Sequence, residues 1–336
     1  MELHMTLALA ALSHAPTYGI VDPGGTVQAE LDSALDDIRA QVREFDPELT
    51  IIFAPDHFNG VFYDMMPAFC VGTQASSVGD WGTELGPLPV ETASGRSLVA
   101  SLLRDGLDIT SSERLAVDHG TTQPLEFIFG KGFTNKIIPI VINSVGLPLG
   151  PIMRARLLGE AVGRWALSTG KRVLIVASGG LSHDPPVPVF DGATPEVTQR
   201  LISGGRNITP QQRAEREQKI LSTAARNNAG EKLMRDINPP FDTLMMNTFA
   251  AGQLGNVDAW TTEWFHQEGG CGAQEIRCWI AAFAAQSMGG PYTVEQSHYW
   301  PIHSWATGFA VMTASTTDAS RSTSPDYRFV EKEYRP

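Results

Sequence analysis

Short apolar runs alternate with segments of helical periodicity through the first half of the chain. Thr6 to Leu12, Leu49 to Ala54, Ile137 to Ile142 and Arg172 to Ala177 have strand length, and the unbroken β-branched run from Ile137 predicts a strand buried on both faces. From Val27 to Phe45, Leu31, Leu35, Ile38 and Val42 recur three or four apart, which predicts an amphipathic helix ended before Pro47. Glu91 to Asp105 and Met153 to Thr169 read as helices, and Leu107 to Val117 as strand with a turn. Gln74 to Pro89, rich in Gly, Ser and Pro, reads as a long loop. The alternation is β-α-β in character and predicts an α/β fold: a mostly parallel central sheet flanked by helices.

After Pro195 the pattern becomes helix-rich. Thr209 as N-cap and Pro210 as first helical residue open a charged helix to about Asn227. Asn238-Pro239-Pro240 starts another, from Phe241 to about Ala251. A third spans Ala273 to Met288, with Ile276, Trp279, Ile280 and Phe283 as its apolar face, and Gly289-Gly290-Pro291 stops it. The Ser, Thr and Asp-rich tail after Thr313 predicts an end that is loose or tied to a partner subunit. The organisation expected is one α/β domain over residues 1–336, with the helix-rich C-terminal section covering the site. Met1-Glu2-Leu3-His4, ahead of Met5, reads as an appended remnant, so His4 carries no chemistry.

Composition narrows the function. A hydrophobic content of 42% over 336 residues supports a substantial core. The net charge of −12 argues against binding a nucleic-acid backbone. Cys70, Cys271 and Cys278 are too few and too irregularly spaced for a disulfide framework or a zinc ribbon, which points to a reducing cytoplasm. No apolar stretch approaches the roughly 20 residues of a membrane span, and no targeting pattern opens the chain.

The candidate chemistry lies where the strands end. Of the eight histidines, four follow apolar runs: His14 after Leu12-Ser13, His57 after Pro55-Asp56, His119 after Asp118, and His183 at the end of Ser178-Gly179-Gly180-Leu181-Ser182. Open parallel sheets gather ligands at the carboxyl ends of their strands. One such histidine is as often a satisfied structural residue; the conjunction points to a site. Glu275, placed by the flexible Gly269-Gly270-Cys271-Gly272 at the start of an apolar helix, is the best carboxylate to join them. Two histidines and a carboxylate on one face of a metal leave positions open for oxygen chemistry. The residues alone leave open which two histidines bind metal.

The segments Leu12-Ser13-His14-Ala15-Pro16, Phe53-Ala54-Pro55-Asp56-His57-Phe58-Asn59-Gly60, Val117-Asp118-His119-Gly120, Gln123-Pro124-Leu125-Glu126-Phe127 and Ser178-Gly179-Gly180-Leu181-Ser182-His183 closely resemble the class III extradiol catechol dioxygenases. The resemblance implies iron(II) held by His14, His57 and Glu275, with Glu126 as the competing carboxylate, and His119 and His183 as the acid/base pair. It also implies ring cleavage of a catechol by O2, a homo-oligomer, and a substrate with a three-carbon acid side chain, 3-(2,3-dihydroxyphenyl)propionate, or another 3-substituted catechol. Asp56 and Asp118 are candidates to orient the histidines, or simple turn formers. Arg154, Arg156 and Lys131 are the available cations for the acid, and Phe58, Phe62, Tyr63 and Phe190 are the available ring walls. A zinc hydrolase with the same triad and a non-enzymatic metal-binding member of the fold are the rival readings.

Overall fold

The computed structural model describes residues 6–316, and His4 and the tail beyond Thr316 lie outside them. In chain order the strands are β1 (Leu7–Leu12), β2 (Leu49–Ala54), β3 (Phe69–Gly72), β4 (Ala75–Val78), β5 (Leu85–Pro87), β6 (Thr110–Ser112), β7 (Leu115–Val117), β8 (Ile137–Ile142), β9 (Val173–Ser178), β10 (Tyr292–Ile302) and β11 (Thr307–Thr316). The α-helices are α1 (Val27–Phe45), α2 (Thr92–Arg104), α3 (His119–Phe129), α4 (Met153–Ser168), α5 (Pro195–Ile202), α6 (Pro210–Arg226), α7 (Pro239–Ala250), α8 (Thr262–Gly269) and α9 (Ile276–Ser287).

Eight strands form the main sheet in the order β10-β11-β1-β9-β2-β8-β3-β6. Its central four, β1, β9, β2 and β8, are all parallel. Every residue of β2, β8 and β9 is buried, because helices cover both faces of the sheet. Alternate residues serve opposite layers. Leu7, Leu9 and Ala11 of β1 join the core formed with α2, α4 and α9, while Ala10 and Leu12 join the core formed with α1 and α3. His14, His57 and His183 follow β1, β2 and β9 within a few residues, so the parallel sheet delivers all three to one edge. His119 arrives by another route: it follows β7, which belongs to a small sheet of order β5-β4-β7 beside the main one.

Several expectations need correction. The segment Gln74 to Pro89 is not merely a loop, since it contains β4 and β5, paired antiparallel through backbone groups whose side chains carry no apolar alternation. Leu107 to Val117 is split between sheets, β6 pairing with β3 and β7 with β4. After Gly290 the chain forms the long β10-β11 hairpin, and β11 runs antiparallel to β1 through Ser315. The Ser/Thr-rich run from Ala314 to Thr316 is therefore part of the sheet. Helix α9 has no polar face at all: every residue from Ile276 to Gln286 is buried, because the sheet lies on one side of it and α4 on the other.

The contact between α4 and α9 depends on small residues. A Cβ on Gly159 would lie 2.0 Å from the Ala281 carbonyl oxygen, and one on Gly163 2.4 Å from that of Ala285. The helices are therefore at backbone contact, and α9, which follows Glu275 directly, has no room to shift. Gly159→Val is expected to destabilise the fold by about 2 kcal/mol or more through overpacking. Gly255→Ala, where an added Cβ meets nothing within 4 Å, is the control. A denaturant midpoint for Gly159→Val equal to that of the control would contradict this packing.

Candidate metal centre and active-site cavity

The four strand-end histidines meet. The His14 ring centroid lies 5.1 Å from those of both His57 and His119, and His57 and His119 stack at 4.5 Å. Each imidazole is held from behind through Nδ1. His57 Nδ1 bonds Asp118 Oδ2 at 3.1 Å, His119 Nδ1 bonds Asp80 Oδ2 at 2.6 Å, and His183 Nδ1 bonds the Leu181 carbonyl at 2.9 Å. His14 Nδ1 lies 2.9 Å from Ser178 Oγ, whose one hydrogen goes to the Gly120 carbonyl at 2.5 Å. That hydroxyl must accept from His14. All four partners thus take a hydrogen from Nδ1, which leaves each Nε2 with its lone pair directed away from the anchor.

Glu275 sits among these nitrogens, 2% exposed. Its Oε2 accepts from Gly180 N–H at 2.8 Å and lies 3.7 Å from His14 Nε2. Its Oε1 lies 3.0 Å from His57 Nε2 and 3.5 Å from His183 Nε2. The approach requires glycine at 179, which adopts φ 139° and where a Cβ would fall 2.8 Å from Glu275 Cβ. A carboxylate oxygen and an imidazole lone pair only 3.0 Å apart repel unless a proton or a cation joins them.

Left to the protein's own charges, a proton does so. Burial works against charge on His57, but Asp118 by charge and hydrogen bond, together with Glu275, lifts its pKa well above the ordinary value. Burial likewise opposes charge on Glu275, yet the surrounding imidazoles outweigh it and hold the carboxyl well below its usual range. His183 is raised: burial opposes its charge and Glu275 favours it. His14 moves the other way, to about 3, chiefly through burial, and stays neutral. A neutral donor nitrogen, an ionised carboxylate and a proton that a cation can displace suit a divalent metal ion. The donor set fits.

Among the described residues, two groups have ligating atoms all within 4.8 Å of one another: His14, His57 and His119, and Asp80, Asp118 and His119. The second is already occupied by hydrogen bonds. Asp80 accepts from the His119 backbone and ring, and Asp118 accepts from the backbone N–H groups of His57 and Gly120 and from Asn59 Nδ2. Asp118 thereby caps α3 and aims His57 at once. The Asp56 carboxylate makes no hydrogen bond to any of the histidines among the described residues. It accepts from Asn59, Gly60 and Val61 N–H and shapes the turn, and burial with the neighbouring Asp118 pushes its pKa up to about 7.

A cavity of about 280 Å³ opens over the cluster, lined by His14, His57, His119, His183 and Glu275. That volume suits a single-ring molecule. Of the aromatic residues expected to form its walls only Phe58 reaches it; Trp81, Val145, Val187, Ile208, Ile220 and Trp305 are among its other apolar lining residues. Phe62 lies under the Arg206 guanidinium, and Tyr63 packs against Phe190. Glu126 faces away and accepts from Glu84 N–H. None of the expected cations is present: Lys131 donates to the Gly82 carbonyl, Arg156 pairs with Asp258 and Glu160, and Arg154 borders a separate cavity. Asp80 and the α6 residues on the cavity wall escaped the sequence reading; an Asp-Trp pair between Gly79 and Gly82 was the one local signal for the first.

Residues 8–310 match the family described as "Catalytic LigB subunit of aromatic ring-opening dioxygenase". The chain is 47% identical to the "2,3-dihydroxyphenylpropionate/2,3-dihydroxicinnamic acid 1,2-dioxygenase" of Rhodococcus sp, over 94% of this chain and 100% of the relative. It is 45% identical to the protein of the same name from Rhodococcus jostii (strain RHA1), over 94% and 100% of the two chains. The Azotobacter vinelandii protein of that name is 46% identical, over 92% of this chain and 99% of its own length. No described helix is long and apolar enough to cross a membrane. The chain belongs to the aromatic ring-opening dioxygenases of the LigB family and is an extradiol ring-cleaving dioxygenase.

Proposed function

We propose that the chain opens the ring of 3-(2,3-dihydroxyphenyl)propionate with O2, using iron(II) held by His14, His57 and Glu275 and proton transfer by His119 and His183. The observation that carries the reading is the buried Glu275 carboxylate set among the Nε2 atoms of His14, His57 and His183. His119 is as near to His14 and His57, but among the described residues it makes no ion pair with Glu275; Asp80 holds its Nδ1 at 2.6 Å and the ring lines the cavity. The relatives' names supply the substrate, and their second substrate, a cinnamic analogue, carries the same diol and acid.

Iron(II) bound by two histidines and one carboxylate supplies open positions for a catechol's two oxygens and for O2, and an electron path between them. The chain's residues manage protons and position. One of His119 and His183 takes the proton that a ring hydroxyl must lose, and the other returns a proton when the O–O bond breaks. The Asp80 carboxylate and the Leu181 carbonyl keep both rings oriented with Nε2 available. Trp81, Val187, Ile208 and Trp305 wall the cavity with apolar surface that restricts water around the reacting ring. Membership of a dioxygenase family sets aside the zinc hydrolase, whose donor set would be the same.

Protein loaded anaerobically with iron(II) is expected to consume O2 in a one-to-one ratio with 3-(2,3-dihydroxyphenyl)propionate and to form a yellow ring-opened product. Absence of uptake with this catechol and with plain catechol, in protein shown to hold its metal, would overturn the reading. The roles separate by metal content. His57→Ala is expected to lose both bound iron and activity, whereas His119→Gln and His183→Gln should keep iron and lose turnover by about a hundredfold or more. Loss of iron from His119→Gln, with iron retained in His57→Ala, would exchange the assignments. Glu275→Gln is expected to release iron and Glu126→Gln to retain it; the reverse result, read by iron analysis alone, would move the carboxylate ligand to α3.

A further inference from the structure

The cavity is lined by charged residues besides the histidine cluster. One face of α6 lines it through Arg213, the adjacent Arg216 and Glu217, Ile220 and Ala224, successive turns of the helix. The charged groups lining the cavity are unequally partnered. Asp80 is paired with His119 and Glu275 with the inner imidazoles. Glu217 Oε1 accepts from Trp81 N–H at 2.9 Å, which ties α6 to the loop between β4 and β5. Arg213 Nη1 donates to Asn59 Oδ1 at 3.3 Å. Arg216 has no hydrogen-bond or ion-pair partner among the described residues.

An Arg216 guanidinium so placed lacks a counter-ion. It is partly buried, and its pKa is lowered first by that burial and then by the like charges of Arg200 and Arg213. A half-dry cation beside two other cations is destabilised unless an anion joins it, and a planar guanidinium matches a carboxylate through paired N–H donors. Ile208, Ile220 and Trp305 also line the cavity and offer apolar contact to the carbon chain that would join a ring to its acid.

We propose that Arg216, backed by Arg213, is the anion site of this cavity and binds the side-chain carboxylate of an acid-bearing catechol. The assignment rests on the proposed ring-opening activity and makes α6 the element that selects among catechols. It also explains how the site accepts an acid although Lys131, Arg154 and Arg156 are all engaged or placed elsewhere.

Two catechols that are isosteric except for the acid, 3-(2,3-dihydroxyphenyl)propionate and 3-propylcatechol, provide the test when their kcat/KM values are compared in iron-loaded wild type, Arg216→Gln and Arg216→Glu. The acid-to-neutral ratio is expected to fall about tenfold to a hundredfold in Arg216→Gln, mostly through KM, the scale of one charge-assisted hydrogen-bond pair. Arg216→Glu should lower it further and make the cationic 3-(2-aminoethyl)catechol a better substrate relative to 3-propylcatechol. Arg213→Gln should lower the ratio by less. An acid-to-neutral ratio equal to wild type in both Arg216 variants would overturn the anion site while leaving the ring-opening activity standing. Failure of wild type to open either catechol would instead overturn that activity and this assignment with it. Iron content measured on every variant separates a damaged metal centre, which lowers both substrates together, from a lost anion site.

Discussion

Burying one carboxylate imposes most of the geometry around this site. Glu275 is ionised and almost without solvent, a state that a fold tolerates only when the charge is paired and hydrogen-bonded. The pairing draws on distant parts of the chain: Gly180 N–H from the end of β9, His57 from the end of β2 and His14 from the end of β1. Each contribution adds a requirement of its own. Gly180 N–H reaches Glu275 only because residue 179 is a glycine in the left-handed half of backbone space, and α9 brings the carboxylate to that depth only because α4 meets it with glycines. The parallel sheet and the fully buried helix are thus parts of one solution to a charge problem.

The imidazoles are positioned by the same economy of means. Three of their four anchors are groups that the fold already needs. Asp118 caps α3, the Leu181 carbonyl lies in the turn after β9, and Ser178 ends that strand. Using Nδ1 for structure leaves Nε2 for chemistry at all four histidines and fixes their tautomers; the Asp80 carboxylate, bonded to the His119 backbone and ring, is the one support given over to its histidine among the described residues. Proximity alone would count Asp80 and Asp118 as possible metal ligands, but a carboxylate whose lone pairs already accept backbone N–H groups and an imidazole N–H has little left to donate. The distinction between a ligand and its support lies in which lone pairs remain.

How much of this was legible in the sequence follows from how local each signal is. Val27–Phe45, Leu49–Ala54 and Ile137–Ile142 were readable to the residue, because a helix of period 3.6 and a doubly buried strand leave unbroken marks in the chain. The histidines were readable because each follows directly on its strand. Asp80 was not: it lies in a glycine-rich stretch whose β4-β5 pairing uses backbone groups, and its partner His119 is 39 residues away. The β10-β11 hairpin was missed because β11 mixes Thr, Ser, Ala and Gly with a few large apolar residues, and its burial comes from β1, far away in the sequence. Arg216 was invisible for a simpler reason: on a mostly exposed, highly charged helix it reads as one more solvated cation.

That contrast has a physical source in the way the cavity is assembled. Its floor is made of strand ends within a rigid sheet, where a small displacement would separate Glu275 from its partners, so residue type and local context are tightly constrained. Its roof is α6, a helix with a single buried residue, Ala224, a complete capping box at Thr209 and Gln212, and tethers from Glu217 to Trp81 and from Arg213 to Asn59. A helix held by its own caps and by two hydrogen bonds, Trp81 to Glu217 and Arg213 to Asn59, tolerates changed side chains elsewhere on its inner face without disturbing the sheet below. Reaction type and substrate choice are therefore carried by different elements, the first by a floor the core holds in place and the second by a roof that only rests on it. The segments carrying His14, His57, His119 and His183, which resemble those of ring-opening enzymes, fall on the floor, and side-chain preference should be sought on the roof.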